Sequence, residues 1–201
     1  MPPTNKMMSR PTRLYKQIAV LSGFLAALFL GPPQADAVIL INELLANPGG
    51  FDANSDGSAD NVDDEFVELA NLDSAAATLE GWSLSDAITT RHIFGSGDVI
   101  SGFGFVSVFG LNASSGSLGL NNSADTLTLW DADGAAVDIF AYGSSQAGIS
   151  WSRDPDGVGS FAAHPGANLP RYSPGMTVDG MEQLPHQQDP QPAPGQPGAP
   201  V

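Results

Sequence analysis

The chain contains no cysteine, so a disulfide framework, a thiolate metal site and a thiol nucleophile are all excluded. An acylated cysteine of the lipoprotein kind is excluded with them. Basic residues are scarce, 7 Lys and Arg against 22 Asp and Glu. A surface that tracks a phosphate backbone needs clustered Lys and Arg, so direct nucleic-acid binding is not expected. Histidines number 3, and their spacing fits no transition-metal motif. Past the N-terminus no apolar run approaches the ~20 residues that a membrane-spanning helix needs. Nor does any window there sustain a 3.6-residue apolar period, so long amphipathic helices are not expected.

The N-terminus has the marks of an export signal. Lys6, Arg10, Arg13 and Lys16 precede the short apolar run Ile18 to Leu30, which Gly31-Pro32-Pro33 breaks. Ala35-Asp36-Ala37 then supplies the small-x-small pattern of a cleavage site. Residues 1–37 are therefore expected to be a cleaved signal peptide, a retained anchor being the lesser alternative. The protein is placed outside the cytoplasm, secreted or periplasmic, with no membrane span after cleavage. Without those residues, 21 acidic groups face only Arg91, Arg153 and Arg171, a net charge of −18. Such a surface suits cations or basic partners. At the other end Pro, Gln and Gly dominate from Gln183 onward, a composition that cannot bury an apolar face. The domain is expected over 38–175 and a Pro/Gln/Gly-rich tail over 176–201.

Between these ends the apolar segments are short and separated by turn residues. Strands are expected at Val38–Leu45, Glu65–Asn71, Leu79–Ser85, Arg91–Phe94, Phe103–Gly110, Thr126–Asp131 and Val137–Tyr142, with a short one at Ile149–Ser152. Leu127 and Leu129 alternate with Thr126 and Thr128, and Asp131-Ala-Asp133-Gly134 reads as a hairpin turn. Seven to nine short strands so punctuated predict an all-β antiparallel sandwich.

The order of motifs resembles one family. Ile41-Asn42-Glu43 is followed by Glu65-Phe66-Val67-Glu68-Leu69-Ala70-Asn71, Leu79-Glu80-Gly81-Trp82-Ser83-Leu84-Ser85-Asp86 and Arg91-His92-Ile93-Phe94. Then come Phe105-Val106-Ser107-Val108-Phe109-Gly110, Asn121-Asn122-Ser123-Ala124-Asp125-Thr126-Leu127-Thr128-Leu129 and Asp131 to Asp138. This pattern resembles the bacterial branch of the lamin-tail domain family, over nearly all of Val38 to Pro174. The resemblance implies an immunoglobulin-like β-sandwich that serves as a non-enzymatic interaction module. Bacterial members are typically exported and sometimes joined to nucleases or other hydrolases, whereas nothing catalytic is appended here.

The segment Asp52 to Glu65 proposes specific chemistry. With Asp52 as position 1 of a calcium loop, Asn54, Asp56, Ser58 and Asp60 fall at 3, 5, 7 and 9, and Gly57 sits at the tight turn. The bidentate Glu expected at 12 is replaced by Asp63, and no helix flanks the run, so it is not an EF-hand. Asp63, Asp64 or Glu65 would complete the shell. Ca²⁺ takes about six to eight oxygens on a curved loop, and a structural Ca²⁺ is the expected cofactor. The plain alternative is an acidic surface loop, since Asp, Asn and Gly favour turns anyway.

No catalytic set is expected. Glu43 and Glu68 are a conceivable glycosidase pair, but they lie in short strands without an aromatic-rich cleft. His92 is read as a structural strand residue, Trp82 as core, and Trp130 as the best exposed aromatic. The function expected is a secreted binding or adhesion module, stabilised by calcium, for a protein or polysaccharide partner. The alternative is an accessory subunit or degenerate relative of an exported nuclease or hydrolase.

Overall fold

A computed structural model describes residues 37–184. The expected signal peptide, apart from Ala37, and the tail beyond Leu184 lie outside the described residues, as does His186. Eleven strands follow one another: β1 (Ile39–Leu45), β2 (Phe66–Asn71), β3 (Ala77–Thr78), β4 (Ser83–Ser85), β5 (Thr90–Ile93), β6 (Val99–Ile100), β7 (Phe105–Phe109), β8 (Asp125–Trp130), β9 (Ala136–Tyr142), β10 (Trp151–Asp154) and β11 (Ser160–Ala163). The only helical element among the described residues is a 3₁₀ turn at Gly110–Asn112. No described helix is long and apolar enough to cross a membrane.

A five-stranded sheet runs in the order β11-β10-β1-β2-β7, a four-stranded sheet in the order β5-β4-β8-β9, and β3 pairs with β6 alone. Every strand pairing is antiparallel. Ile39, Ile41, Leu44, Val67 and Leu69 from the large sheet meet Leu84, Leu127 and Leu129 from the small one. Leu79, Ile100 and Leu118 join the same core and are inaccessible to solvent. The alternation in β8 therefore points Leu127 and Leu129 inward, as their spacing requires. Strands β1 and β2 are different: nearly every residue is buried, whichever way it points. Their outer face is covered as well, which explains why both read as continuous runs instead of alternating ones.

A β-bulge in β1 decides what that outer face carries. Ile41 opposes Leu69 and Glu43 opposes Glu68, which leaves Asn42 as an extra residue. Ile41 and Leu44 both enter the core, so Asn42 and Glu43 fall side by side on the opposite face. A bulge is a device for re-aiming side chains in this way.

Where β10 stops pairing with β1, two side chains take over. Arg153 Nε donates to the Ile41 carbonyl at 2.8 Å, and the Ile41 amide donates to Asp138 Oδ2 at 3.0 Å. Arg153 Nη2 completes the bracket with Asp138 Oδ2 at 3.0 Å. The guanidinium also donates to Gly159 O and lies 4.5 Å from the Phe161 ring centre. This pair replaces a length of strand and ties the edge of the small sheet, at β9, to the large one.

The strand count exceeds the expected seven to nine for local reasons. The two-residue strands β3 and β6 lie outside the expected ranges. The expected strand Leu79–Ser85 is shortened to Ser83–Ser85, because Gly81 adopts φ +82° and the Trp82 amide turns back to Leu79 O. Strand β11 was missed because Ser160-Phe161-Ala162-Ala163 lacks both β-branched residues and alternation. The folded region also continues past residue 175. Thr177 and Leu184 are 2% and 7% exposed, so residues 176–184 pack onto the domain.

Replacing Arg153 with Met should lower stability in urea unfolding by about 2 kcal/mol, since buried hydrogen bonds to a charged group are lost. Lys at this position should recover little, because an ammonium lacks the fork that meets two acceptors at once.

Candidate functional site

The connection between β1 and β2 is folded by its own carboxylates. Asp52 accepts from the Asp56 amide at 3.1 Å and from the Gly57 amide at 2.9 Å through its two oxygens. Asn54 Oδ1 also accepts from Asp56, at 2.9 Å, and Asp56 Oδ1 from Ser58, at 2.8 Å. Asp60 Oδ1 receives the amides of Val62 and Asp63. Those two bonds hold its carboxyl below the usual aspartate range. The staple of the loop is Asp64, fully buried. Its Oδ1 takes the Ala53 and Asn54 amides at 2.8 and 2.9 Å, and its Oδ2 the Asp60 amide at 2.7 Å. A carboxylate that accepts three amides offsets the cost of its own burial.

The eight residues read as candidate ligands are thus distributed unevenly. Asp52, Asn54, Asp56 and Ser58 form one curl, and Asp60, Asp63 and Asp64 form the return. Glu65 turns away: its Oε2 accepts the Leu120 amide at 3.1 Å, on the far side of the 3₁₀ turn. Among the described residues no three His, Asp or Glu side chains converge in a metal-holding group. Below the loop, Phe66, Leu45 and Ala53 make a small apolar cluster with Phe109 and Tyr172.

The sequence reading missed a second polar assembly, on the outer face of the large sheet. Glu43 and Glu68 are both inaccessible to solvent and face each other across β1 and β2. Glu43 Oε1 accepts from the Ser150 hydroxyl and from the Ser173 amide at 3.0 Å, and its Oε2 from the Ser173 hydroxyl at 2.9 Å. Ser173 Oγ in turn lies 3.1 Å from His164 Nε2, whose Nδ1 is 2.7 Å from Pro165 O. Glu68 Oε1 accepts from Asn42 Nδ2 at 3.0 Å, and its Oε2 from Ser107 Oγ and the Gly175 amide. Asn42 spends its remaining capacity on Asp156 and on the Gly157 amide. Both glutamates are covered by residues 172–184, so the conceivable glycosidase pair has no access for a sugar. The available signal was the presence of Asn42, Glu43 and Glu68 inside otherwise apolar runs.

Burial dominates the protonation of these groups. It raises Glu43 against the lowering influence of Ser150, His164 and Ser173. It pushes Glu68 up to about 8, helped by the neighbouring Glu43 charge and opposed by Asn42, Gly175 and Ser107. Glu65 is pushed to about 7 by burial, despite the amides of Leu120 and Gly119 and the nearby Arg91. For Asp86, burial is outweighed by the Thr89 and Ile88 amides and by Arg91, so its carboxyl stays below the usual range. The Tyr142 hydroxyl, buried near the Asn121 main chain, has no well-formed hydrogen bond.

The remaining candidates fall into place as supports. His92 Nδ1 accepts the Ser114 amide at 3.3 Å, and its ring meets Phe94 edge-on at 4.6 Å. Trp82 packs partly buried against the core. Trp130 is half-buried, and its Nε1 donates to Ser85 Oγ at 2.8 Å.

The sequence model of the Lamin Tail Domain family matches residues 32–144. The chain belongs to the lamin tail domain family. Its two-sheet antiparallel architecture is that of the family's immunoglobulin-like fold, and the family is a non-catalytic one. No curated protein matches the chain. The matched stretch of this lamin tail domain holds the acidic loop, Glu43 and Glu68. It stops before residues 150–184, which contain β10 and β11 and supply Ser150, Ser173 and Gly175 to those two glutamates, with His164 behind Ser173.

The raised carboxyls fix the direction of the pH dependence. A group raised from 4.5 in the folded state adds stability that is fully present below that value. The increment is lost as pH rises through the folded value. Thermal midpoints should therefore fall between pH 5 and about 8, then level off. Glu65→Gln should flatten the part of the curve that ends near pH 7. A midpoint that rises steadily over this range would contradict the assignment.

Proposed function

We propose that this lamin tail domain is an exported, non-catalytic module that binds a protein or polysaccharide partner, with its Asp-rich loop ordered by calcium. The observation that carries the reading is the curl at Asp52–Ser58. Its side-chain oxygens are already drawn together by the amides of Asp56, Gly57 and Ser58. A loop curved in advance loses less conformational freedom when it receives an ion. Asp52 and Asp56 are the two anionic side chains of this curl, and a divalent cation would offset repulsion between them. Asp52, Asn54, Asp56, Ser58 and Asp60 are the ligands proposed. Asp63 or Asp64 closes the set, while Glu65 serves the Gly119–Leu120 turn instead. The signal-like N-terminus and the net charge of −18 for the remainder support a working place outside the cytoplasm.

In this function the ion is structural. It fixes the loop on the rim of the sandwich, and the fixed loop with its neighbouring strand ends offers the contact surface. Stabilisation follows mass action, about 2.7 kcal/mol at a hundredfold excess over Kd. Titration calorimetry of the chelator-stripped chain with Ca²⁺ should show saturable binding, and the ion should raise the melting temperature. Asp52→Ala combined with Asp56→Ala should abolish both effects. Identical melting curves with calcium and with chelator would remove the ion from the account.

A further inference from the structure

We propose that residues 172–184 form a proton-operated strap, docked on the outer face of the large sheet while Glu43 and Glu68 retain a proton and released when both are ionised. The inference rests on how the strap is attached. At its base the main chain is fixed: the Arg171 amide donates to Gly148 O at 2.8 Å, and the Ser150 amide to Arg171 O at 3.0 Å. Beyond Arg171 the strap's donors end largely on carboxylates. The Ser173 amide and hydroxyl go to Glu43, the Gly175 amide to Glu68, and the Val178 amide to Asp156 Oδ2 at 3.0 Å. Leu184 closes the far end with an amide bond to Phe103 O at 2.8 Å.

Apolar anchoring is thin by comparison. Tyr172 touches Phe66 edge-on at 6.1 Å between ring centres, and Thr177 and Leu184 are buried. Met176 and Met181 stand 43% and 45% exposed. The turn at 177–181 closes on itself, with the Thr177 amide on Met181 O and the Met181 amide on Thr177 Oγ1. The state of the carboxylates therefore decides whether the strap stays down.

The charged surroundings give the sign. Glu43 and Glu68 face each other on β1 and β2, Asp156 approaches from the β10–β11 connection, and Asp52 and Asp64 lie beside Tyr172. Asp179 and Glu182 of the strap are exposed. The Arg171 guanidinium turns to Gly166 O, and that of Arg153 to Asp138. Among these groups His164 reaches the pair through Ser173 Oγ, which lies against both His164 Nε2 and Glu43. Two buried carboxyls in direct opposition favour holding a proton. Undocked, both are hydrated and behave as ordinary glutamates. Docked, burial raises both, with Glu68 brought to about 8. Docking is thus strongest below pH 4.5 and weakens through about pH 8, by up to about tenfold per pH unit for each linked proton.

The Glu43→Gln variant keeps every hydrogen bond at its site. Its Oε1 still accepts from Ser150 and Ser173, and its amide nitrogen donates to Ser173 Oγ. That hydroxyl then swings to donate to His164 Nε2. The variant therefore removes charge without removing packing.

The test is amide hydrogen exchange by NMR on the full chain from pH 5 to 9. Rates at Gly175, Val178 and Leu184 are corrected for intrinsic base catalysis and followed beside those at Leu127 and Leu129 of β8, which open only with the whole domain. The corrected strap rates should stay above the β8 rates and rise about tenfold per pH unit between pH 6 and 8. The Gly175 amide shift should titrate over the same interval. Glu43→Gln should flatten the rise, and Glu43→Gln with Glu68→Gln should keep the strap protected at pH 9. Corrected strap rates that are constant with pH in the natural chain, or that never exceed the β8 rates, would overturn the proposal. So would a rise of equal steepness in the Gln variants.

Discussion

Two carboxylates stand opposite one another on adjacent central strands, in a place water does not reach. Like charges across an antiparallel pair repel, and burying either one costs far more than an exposed acid would. The outer side of the large sheet is arranged around that cost. Asn42, Ser107, Ser150, Ser173 and the Gly175 amide are all directed at Glu43 or Glu68. The bulge at Asn42 brings the first of these donors onto the right face. Without the segment after β11, the two glutamates would lie in an open sheet face and the outer layer would have no purpose.

The sandwich itself was legible because its signals are local. Strand β8 alternates, the turn at Asp131–Gly134 is closed by Asp131 Oδ1 on the Asp133 and Ala135 amides, and the strands near 39, 66, 105 and 136 fall close to where composition places them. The short pairing of β3 with β6 was not legible, since two-residue strands carry no period. The site was half legible. Asp52, Asn54 and Asp56, read from the sequence as candidate ligands, lie in one curl, yet nothing in Asp63-Asp64-Glu65 tells which side chain turns inward. Asp64 became the staple and Glu65 went to Leu120 because of partners 10 and 55 residues away. The Glu43–Ser173–His164 chain is more distant still, with a sequence separation of 130 between its first two members.

The match to the lamin tail domain family ends at residue 144, but the structural unit does not. Strand β10 completes the pairing of β1, and Arg153 brackets Ile41 with Asp138 from the other sheet. The matched stretch therefore holds most of the core and the acidic loop. The following forty residues of the described chain cover the outer face of the large sheet. An interaction surface on such a protein has two distinct chemistries available: a carboxylate-rich rim at the loop, and a covered polar face beneath the strap.

The pairing of β1 with β10 has a kinetic side. On the ribosome β1 finds β2 soon after it emerges, but its other neighbour and the hydroxyls that satisfy Glu43 come more than 100 residues later. Contacts of that separation are slow to form, because a long loop must close before any of them is rewarded. Until Ser150 and Ser173 have been synthesised, β1 carries an unsatisfied acid on one side and an open edge beside it. The nascent chain is thus held short of its native state until residues 150–173 have emerged.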